Sequence, residues 1–267
     1  MIMTMQDSIT SRDNPIFKRL KKLAESARER REARMTLLDG EHLIDSYFDA
    51  GGQPHTLLHS ASCADEVWQP LVARCEGAKV VAIADSLFAE LSPVESPTGV
   101  LAEAVWLEAK APKDATPLVL LLEDIQDPGN LGSLLRSAAA AGATLAVLSK
   151  GCHDAWSPKA LRGGQGAQFV LPMLLRADLA GWVQSADMPV WALALGGEES
   201  VFELDLKSPA GILVGNEGAG LSEEVLKIAR GNVAIPMPGR VESLNAAAAA
   251  AVALFEAVRQ RTVKGEG

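Results

Sequence analysis

The residues best suited to chemistry sit in three glycine-bearing turns. Asp127-Pro128-Gly129-Asn130-Leu131-Gly132, with Arg136 one turn further on, directly follows the apolar run Leu118–Leu122. That order reads as strand, tight turn and helix. A turn of this kind presents side chains and free backbone N–H groups at the carboxyl end of a strand, where open α/β sheets hold their ligands. Two further turns lie downstream, Gly215-Asn216-Glu217-Gly218-Ala219-Gly220 and Ile235-Pro236-Met237-Pro238-Gly239, the latter leading into Ser243-Leu244-Asn245. Each polar residue has a plain structural reading. Asn130 can cap the helix that begins at Leu131, and Arg136 can be a surface residue paired to Glu123 or Asp124. Glu217 is harder to explain that way, because a carboxylate isolated among glycines has little packing purpose.

A dinucleotide-binding site is the first enzyme class to test. It expects G-x-G-x-x-G after its first strand and an acidic residue about 20 positions later. The turn at Asp127 lacks that spacing, and Thr144–Leu148 ends in Ser149-Lys150 without an acid. The three blocks in this order and spacing instead resemble the three motifs of the SpoU (TrmH-like) RNA 2′-O-ribose methyltransferases of the SPOUT class. The resemblance implies S-adenosylmethionine as donor, a ribose 2′-hydroxyl as acceptor, and a catalytic α/β domain tied in a deep trefoil knot. Knots are rare exceptions to unthreaded connections, so periodicity cannot reveal one.

Carried over position by position, Asn130 and Arg136 match the first motif, Glu217 the second, and Ser243 and Asn245 the third. Arg136 is then implicated in activating the hydroxyl. Guanidinium is a poor proton acceptor, with a pKa above about 12. Stabilising the developing alkoxide, or gripping an adjacent phosphate that takes the proton, is the easier role. Glu217 is expected to orient the loops or Arg136. Donor contacts are implied for Gly215, Asn216, Ile235 and Leu244, with Leu195, Gly196 and Gly197 on the other side. Arg162, within Ser157-Pro158-Lys159-Ala160-Leu161-Arg162, is a candidate phosphate contact. Where the family usually has valine and serine after the last asparagine, this chain has Ala246 and Ala247. That departure keeps a second reading open, a catalytically silent RNA-binding or ribosome-assembly factor on the same fold.

Composition narrows the partners. The net charge is -9, with 48% hydrophobic and 22% charged residues, a globular and not a disordered balance. Between Ser11 and Thr36, however, nine basic residues face four acids, a net of +5 that leaves about -14 for the rest. Arg12, Lys18, Arg19, Lys21 and Lys22 are candidate RNA contacts, because phosphate recognition acts locally. The plain alternative is a solvated helix with Ile16, Phe17, Leu20, Leu23 and Ala27 inward. Cys63, Cys75 and Cys152 share no metal-ligand spacing, nor do the four histidines, so no metal is expected. Met1–Ser8 lack signal-peptide features, and no apolar run is long enough for a membrane span. A cytoplasmic protein with free thiols is the expectation.

Around this site an α/β organisation is expected. Residues 1–107 alternate short strands and helices, opening with a helix over 14–33 that has Asn14 or Asp13 as cap and Pro15 at the first helical position. With the phrase Leu38-Asp39-Gly40-Glu41-His42-Leu43-Ile44, they resemble the L30e-like substrate-binding domain that precedes many SpoU catalytic domains. Residues 108–117 read as a linker. Residues 118–267 alternate strands and helices, which argues for a mostly parallel sheet covered on both faces. Strands are expected at 118–122, 144–148, 169–172, 190–195, 211–214 and 233–236. The last helix, expected from Ser243 to Arg261, carries six consecutive alanines, Ala246–Ala251, and then Leu254, Phe255 and Val258. Together with the family pattern this suggests a homodimer. By that resemblance, the two-domain layout implies ribosomal RNA ahead of transfer RNA as substrate.

Overall fold

A computed structural model describes residues 7–112 and 116–262. The expected features at Met1–Gln6 and at Lys113–Ala115 of the linker lie outside the described residues. The chain divides into two compact units. One runs to Leu107 and also takes Trp156–Phe169; the other holds Glu108–Ala155 and everything from Val170.

In the first unit, β1 (Asp7–Ile9), α1 (Pro15–Glu25), α2 (Ala27–Ala33), β2 (Met35–Asp39) and α3 (Glu41–Asp49) come first. They are followed by β3 (Thr56–Ser60), α4 (Asp65–Arg74), β4 (Lys79–Ile83), α5 (Asp85–Leu91) and β5 (Val100–Val105). The five-stranded sheet has the order β1-β4-β3-β5-β2. β1 and β3 run parallel to β4, whereas β5 is antiparallel to both β3 and β2. Asn14 caps α1 by accepting from the Ile16 N–H, and Phe17, Leu20 and Leu23 form its buried stripe. The helix expected over 14–33 is broken at Ser26. Its N–H ends α1 on the Lys22 carbonyl, while its hydroxyl oxygen accepts from Glu29 N–H and starts α2. Serine offers both bonds only in the extended conformation seen there.

The second unit begins with β6 (Leu118–Leu122), α6 (Pro128–Ala140) and β7 (Leu145–Ser149). The chain then contributes α7 (Pro158–Gly164) and α8 (Ala167–Val170), almost wholly to the first unit. There the Trp156 ring stacks on Trp106 with centroids 5.0 Å apart, and Thr36 donates to the Trp156 carbonyl at 2.6 Å. The strand expected at Phe169–Pro172 is therefore corrected to a helical turn. Gly166, at φ +89°, accepts from Phe169 N–H, and the Phe169 ring packs edge-on to Tyr47.

Pairing resumes when the Pro172 carbonyl accepts from Ala146 N–H, which opens β8 (Met173–Ala177). Then follow α9 (Leu179–Ser185), β9 (Val190–Leu193), β10 (Glu199–Ser200), β11 (Ala210–Val214), α10 (Glu223–Ile228), β12 (Gly231–Ala234) and α11 (Ala246–Thr262). The order β10-β12-β9-β11-β6-β7-β8 is parallel throughout. Val119, Leu121 and Leu213 pack under α9 and α10. Leu120, Leu122 and Ile212 alternate to the opposite face and are equally buried, where α11 packs on β11 and α6. Burial on both faces explains why these strands read as unbroken apolar runs.

Candidate active site

The three glycine-bearing turns converge at the carboxyl ends of β6, β11 and β12, around a cavity of about 920 Å³. That lies within the roughly 300–1,000 Å³ of small-molecule sites. At its edge three side chains form a directed chain of hydrogen bonds. Asn245 donates from Nδ2 to Asn130 Oδ1 at 3.0 Å, and Asn130 donates from Nδ2 to Glu217 Oε1 at 3.2 Å. Glu217 also accepts the backbone N–H groups of Gln126 and Asp127 at 3.3 and 3.4 Å. Burial by itself would raise the Glu217 pKa. Its own N–H, the Asn130 amide and the Gln126 and Asp127 N–H groups together outweigh that and hold it below the ordinary value.

Every amide in this chain has its orientation set. Asn245 Oδ1 accepts from Ala247 N–H at 2.9 Å, so its NH₂ must face Asn130. The last helix starts at Ala246, not at Ser243, because Asn245 is spent as its cap. Ser243 and Leu244 consequently stay in irregular chain and line the cavity. Asn130 sits inside the first turn of α6, whose cap is Asp127 and not Asn130: the Asp127 carboxylate accepts from Asn130 N–H at 2.7 Å.

Leu195, Gly196, Gly215, Asn216 and Ile235 also line the cavity. Gly197 does not: a Cβ there would stand 2.6 Å from the Val233 carbonyl carbon, so it serves close approach to β12. Gly215 lines the cavity and is also obligatory for packing, with Gly220 backbone 2.5 Å from the place of its absent Cβ. Asn216 ties its loop to the first motif by donating to the Asp124 carbonyl at 2.8 Å, while its Oδ1 accepts from Gly218 and Ala219 N–H.

Arg136 is exposed on α6, outside the cavity lining, and makes no hydrogen bond or ion pair among the described residues. The carboxylates considered as its partners are engaged elsewhere. Glu123 holds the Ser222 hydroxyl and N–H at 2.7 and 2.8 Å, and Asp124 accepts from the Ser149 hydroxyl at 2.6 Å.

Sequence reasoning missed the supports of this turn. Asp124 sits at φ +53°, its N–H donates to Ser149 Oγ, and a Cβ on Gly151 would lie 2.1 Å from its carboxylate. Gln126 donates to the Gly151 carbonyl at 2.6 Å, and His153 N–H to the Ile125 carbonyl at 2.7 Å. The one available signal was Asp124 itself, since aspartate tolerates left-handed backbone better than most residues. Met237 and Glu242 also line the cavity and were not foreseen.

The candidate RNA contacts lie in the first unit, mostly on acid partners. Arg12 binds Glu90 at 2.6 Å, Lys18 binds Asp13 at 2.7 Å, and Lys21 binds Glu25 at 3.0 Å. Arg19 reaches the fully buried Glu103 at 2.7 Å, and Arg162 pairs with the buried Asp39, which also accepts from the Ser92 hydroxyl. Lys22, and Arg31 further along the same basic segment, are exposed and unpaired among the described residues.

Comparison with known proteins agrees with this arrangement. Residues 117–255 match the SpoU rRNA Methylase family, and residues 14–102 match the MRM3-like substrate binding domain. The chain is 32% identical to the 23S rRNA (guanosine(2553)-2′-O)-methyltransferase RlmP of Bacillus subtilis, covering 92% of this chain and 97% of that protein. It is 33% identical to the 23S rRNA (uridine(2479)-2′-O)-methyltransferase of Streptomyces viridochromogenes, over 95% and 92% of the two chains. Among solved structures, the SpoU methyltransferase AviRb from Streptomyces viridochromogenes in complex with AdoMet superposes with a TM-score of 0.83 at 30% identity. That match covers 94% of this chain and all of the other. With its motifs gathered on one cavity and its similarity running nearly end to end, the chain belongs to the SpoU rRNA methylase family.

Proposed function

We propose that this protein transfers a methyl group from S-adenosylmethionine to a ribose 2′-hydroxyl of ribosomal RNA. The observation that carries the reading is the directed chain Asn245–Asn130–Glu217, which locks all three motifs to the rim of one cavity. The cavity fits the adenosyl donor: apolar Leu195, Ile235 and Leu244 offer faces for a purine, and the walls at Gly215, Gly218 and Gly220 are bare backbone.

When bound, the donor supplies an electrophilic methyl group on a sulfonium sulfur. The protein's work is orientation and charge stabilisation. Asn130, fixed from both ends, presents the first turn of α6 at the cavity rim. Arg136 is the cation on that helix, without an acid partner among the described residues, and it serves the hydroxyl oxygen or its neighbouring phosphate as charge develops. Too weak a base to take the proton, it leaves that to phosphate or water.

RNA recruitment falls to the first unit, with Lys22 and Arg31 as contacts that need break no existing pair. Arg12, Lys18 and Lys21 can exchange their exposed or half-buried acid partners for phosphates, since such surface pairs are worth only about 0–1 kcal/mol. Arg19 and Arg162 satisfy buried carboxylates and are structural. The same reading includes the trefoil knot, a cytoplasmic location and a homodimer. Leu254 is fully buried within its own subunit and Val258 is half-buried, so Phe255 is the exposed member of the expected stripe.

Mapping 2′-O-methyl groups in ribosomal RNA from strains with and without the gene tests the activity; an unchanged map refutes it. The silent-factor reading draws on Ala246-Ala247, and absence of adenosylmethionine binding by calorimetry would establish it instead.

A further inference from the structure

We infer that Glu242 recognises the α-ammonium group of the donor's amino-acid end, an inference that rests on the cavity being the donor site. Among the described residues, two ionisable side chains line the cavity, Glu217 and Glu242, and no cation does. They differ in commitment. Glu217 is saturated by Asn130 and by the backbone of Gln126 and Asp127. Glu242 is exposed and has no hydrogen bond or ion pair among the described residues. The cavity therefore carries one carboxylate with which no described residue pairs, and its preference is for a cation.

The donor has two positive groups, the sulfonium and the ammonium, and position in the chain separates them. Glu242 lies four residues before Ala246, which also lines the cavity and opens the 17-residue α11. Asn245 caps that helix through Ala247 N–H, but Ala246 N–H has no acceptor among the described residues. A free N–H at the positive end of a long helix suits a carboxylate. In an amino acid the carboxylate and ammonium share one carbon, so a ligand carboxylate at α11 brings its ammonium toward the Glu242 segment. The sulfonium methyl must instead face the acceptor hydroxyl on the Asn130 and Arg136 side, away from a competing anion.

The test measures binding, not turnover. Calorimetry on the intact protein and on Glu242→Gln uses three probes: S-adenosylmethionine, S-adenosylhomocysteine and 5′-methylthioadenosine. The first two carry the ammonium; the third has the same nucleoside without it. The expected result is a roughly fivefold to twentyfold weakening for both amino-acid-bearing probes, by a similar factor, with methylthioadenosine unchanged. That factor is what one partly exposed charged hydrogen bond contributes. Glu242→Asp, keeping the charge, should recover part of the loss. Weakening of adenosylmethionine alone would assign Glu242 to the sulfonium, and equal weakening of all three would make it a loop or ribose contact. Either outcome, or no change at all, overturns the inference. Failure of the unaltered protein to bind any probe would instead refute the proposed function.

Discussion

Exchanging the polarity of the Asn130–Glu217 contact tests whether that chain of hydrogen bonds does what the geometry implies. Asn130→Asp keeps the size of the side chain and still accepts from Asn245, but it points a carboxylate oxygen at Glu217 Oε1, 3.2 Å away. Two unit charges at that distance repel by about 1 kcal/mol in a water-like medium and about 5 kcal/mol at an effective dielectric of 20. The contact is exposed, so the low end applies. Adding about 1 kcal/mol for the lost hydrogen bond gives roughly 2–3 kcal/mol, or about 30-fold to 150-fold in rate if the cost falls on the reacting geometry. Asn130→Ala loses the bonds without adding charge and should cost about 1–2 kcal/mol. The conservative substitution is thus expected to be the worse one. Combining Asn130→Asp with Glu217→Gln supplies an NH₂ to face the introduced carboxylate. That double variant should return to within about tenfold of the parent, a coupling of at least about 1 kcal/mol. The assay is transfer of labelled methyl from adenosylmethionine to ribosomal RNA from a strain lacking the gene, with donor affinity measured in parallel by calorimetry. Donor affinity should move less than kcat. Equal losses for Asn130→Ala and Asn130→Asp, or a double variant no better than the sum of its singles, would refute the reasoning.

Arg136→Ala is expected to abolish transfer while leaving adenosylmethionine affinity nearly intact, and Arg136→Lys should fail as well, because a point charge does not reproduce the planar fork; retained turnover in either would remove Arg136 from the mechanism. Neutralising Lys22 and Arg31 together should flatten the dependence of RNA affinity on salt by about 1.4 to 1.8 in log–log slope. The same treatment of Arg19 should change thermal stability more than the salt slope, since it strips a buried carboxylate of its partner. Because its folded pKa is lowered, Glu217 contributes its loop contacts above the ordinary carboxylate range, near about 4.3, and loses them as pH falls through the folded value. Donor binding should therefore be flat in this respect from about pH 6 to 8, and parent and Glu217→Gln should converge only on acidification, as titration calorimetry would show.

What could be read from the chain, and what could not, divides by the range of the interaction. Leu118–Leu122 is a strand with the bounds its composition announces, because an apolar run and flanking turn residues are local signals. Ser26 is also local, yet it could cap, or merely ride on, a continuous helix, and propensity alone does not choose. Phe169 misleads for another reason. Its β-forming neighbours suggest a strand, but Tyr47, more than a hundred residues away, sets its surroundings. At the site, the residue types of the motifs named Asn130, Glu217 and Asn245. Their order of donation depends on where Asn245 caps α11, and that is visible only in three dimensions. Charge counting between Ser11 and Thr36 identified a basic stripe but not that Glu90 and Glu103, from outside that segment, pair with Arg12 and Arg19.

The passage of Trp156–Phe169 through the first unit has a consequence for synthesis. Trp156 and Leu161 are almost wholly buried there, and Arg162 answers Asp39, so the unit begun by the first hundred residues stays unfinished until Phe169 has been made. On the ribosome, β6, α6 and β7 emerge before their predecessor can close, and the two units must mature as an interleaved pair. A cut after Leu107 yields two incomplete halves, one with an open seam and the other with a stranded apolar hairpin. Recombination that trades the first unit between relatives therefore needs two crossovers, one near Leu107 and a matched exchange at 156–169.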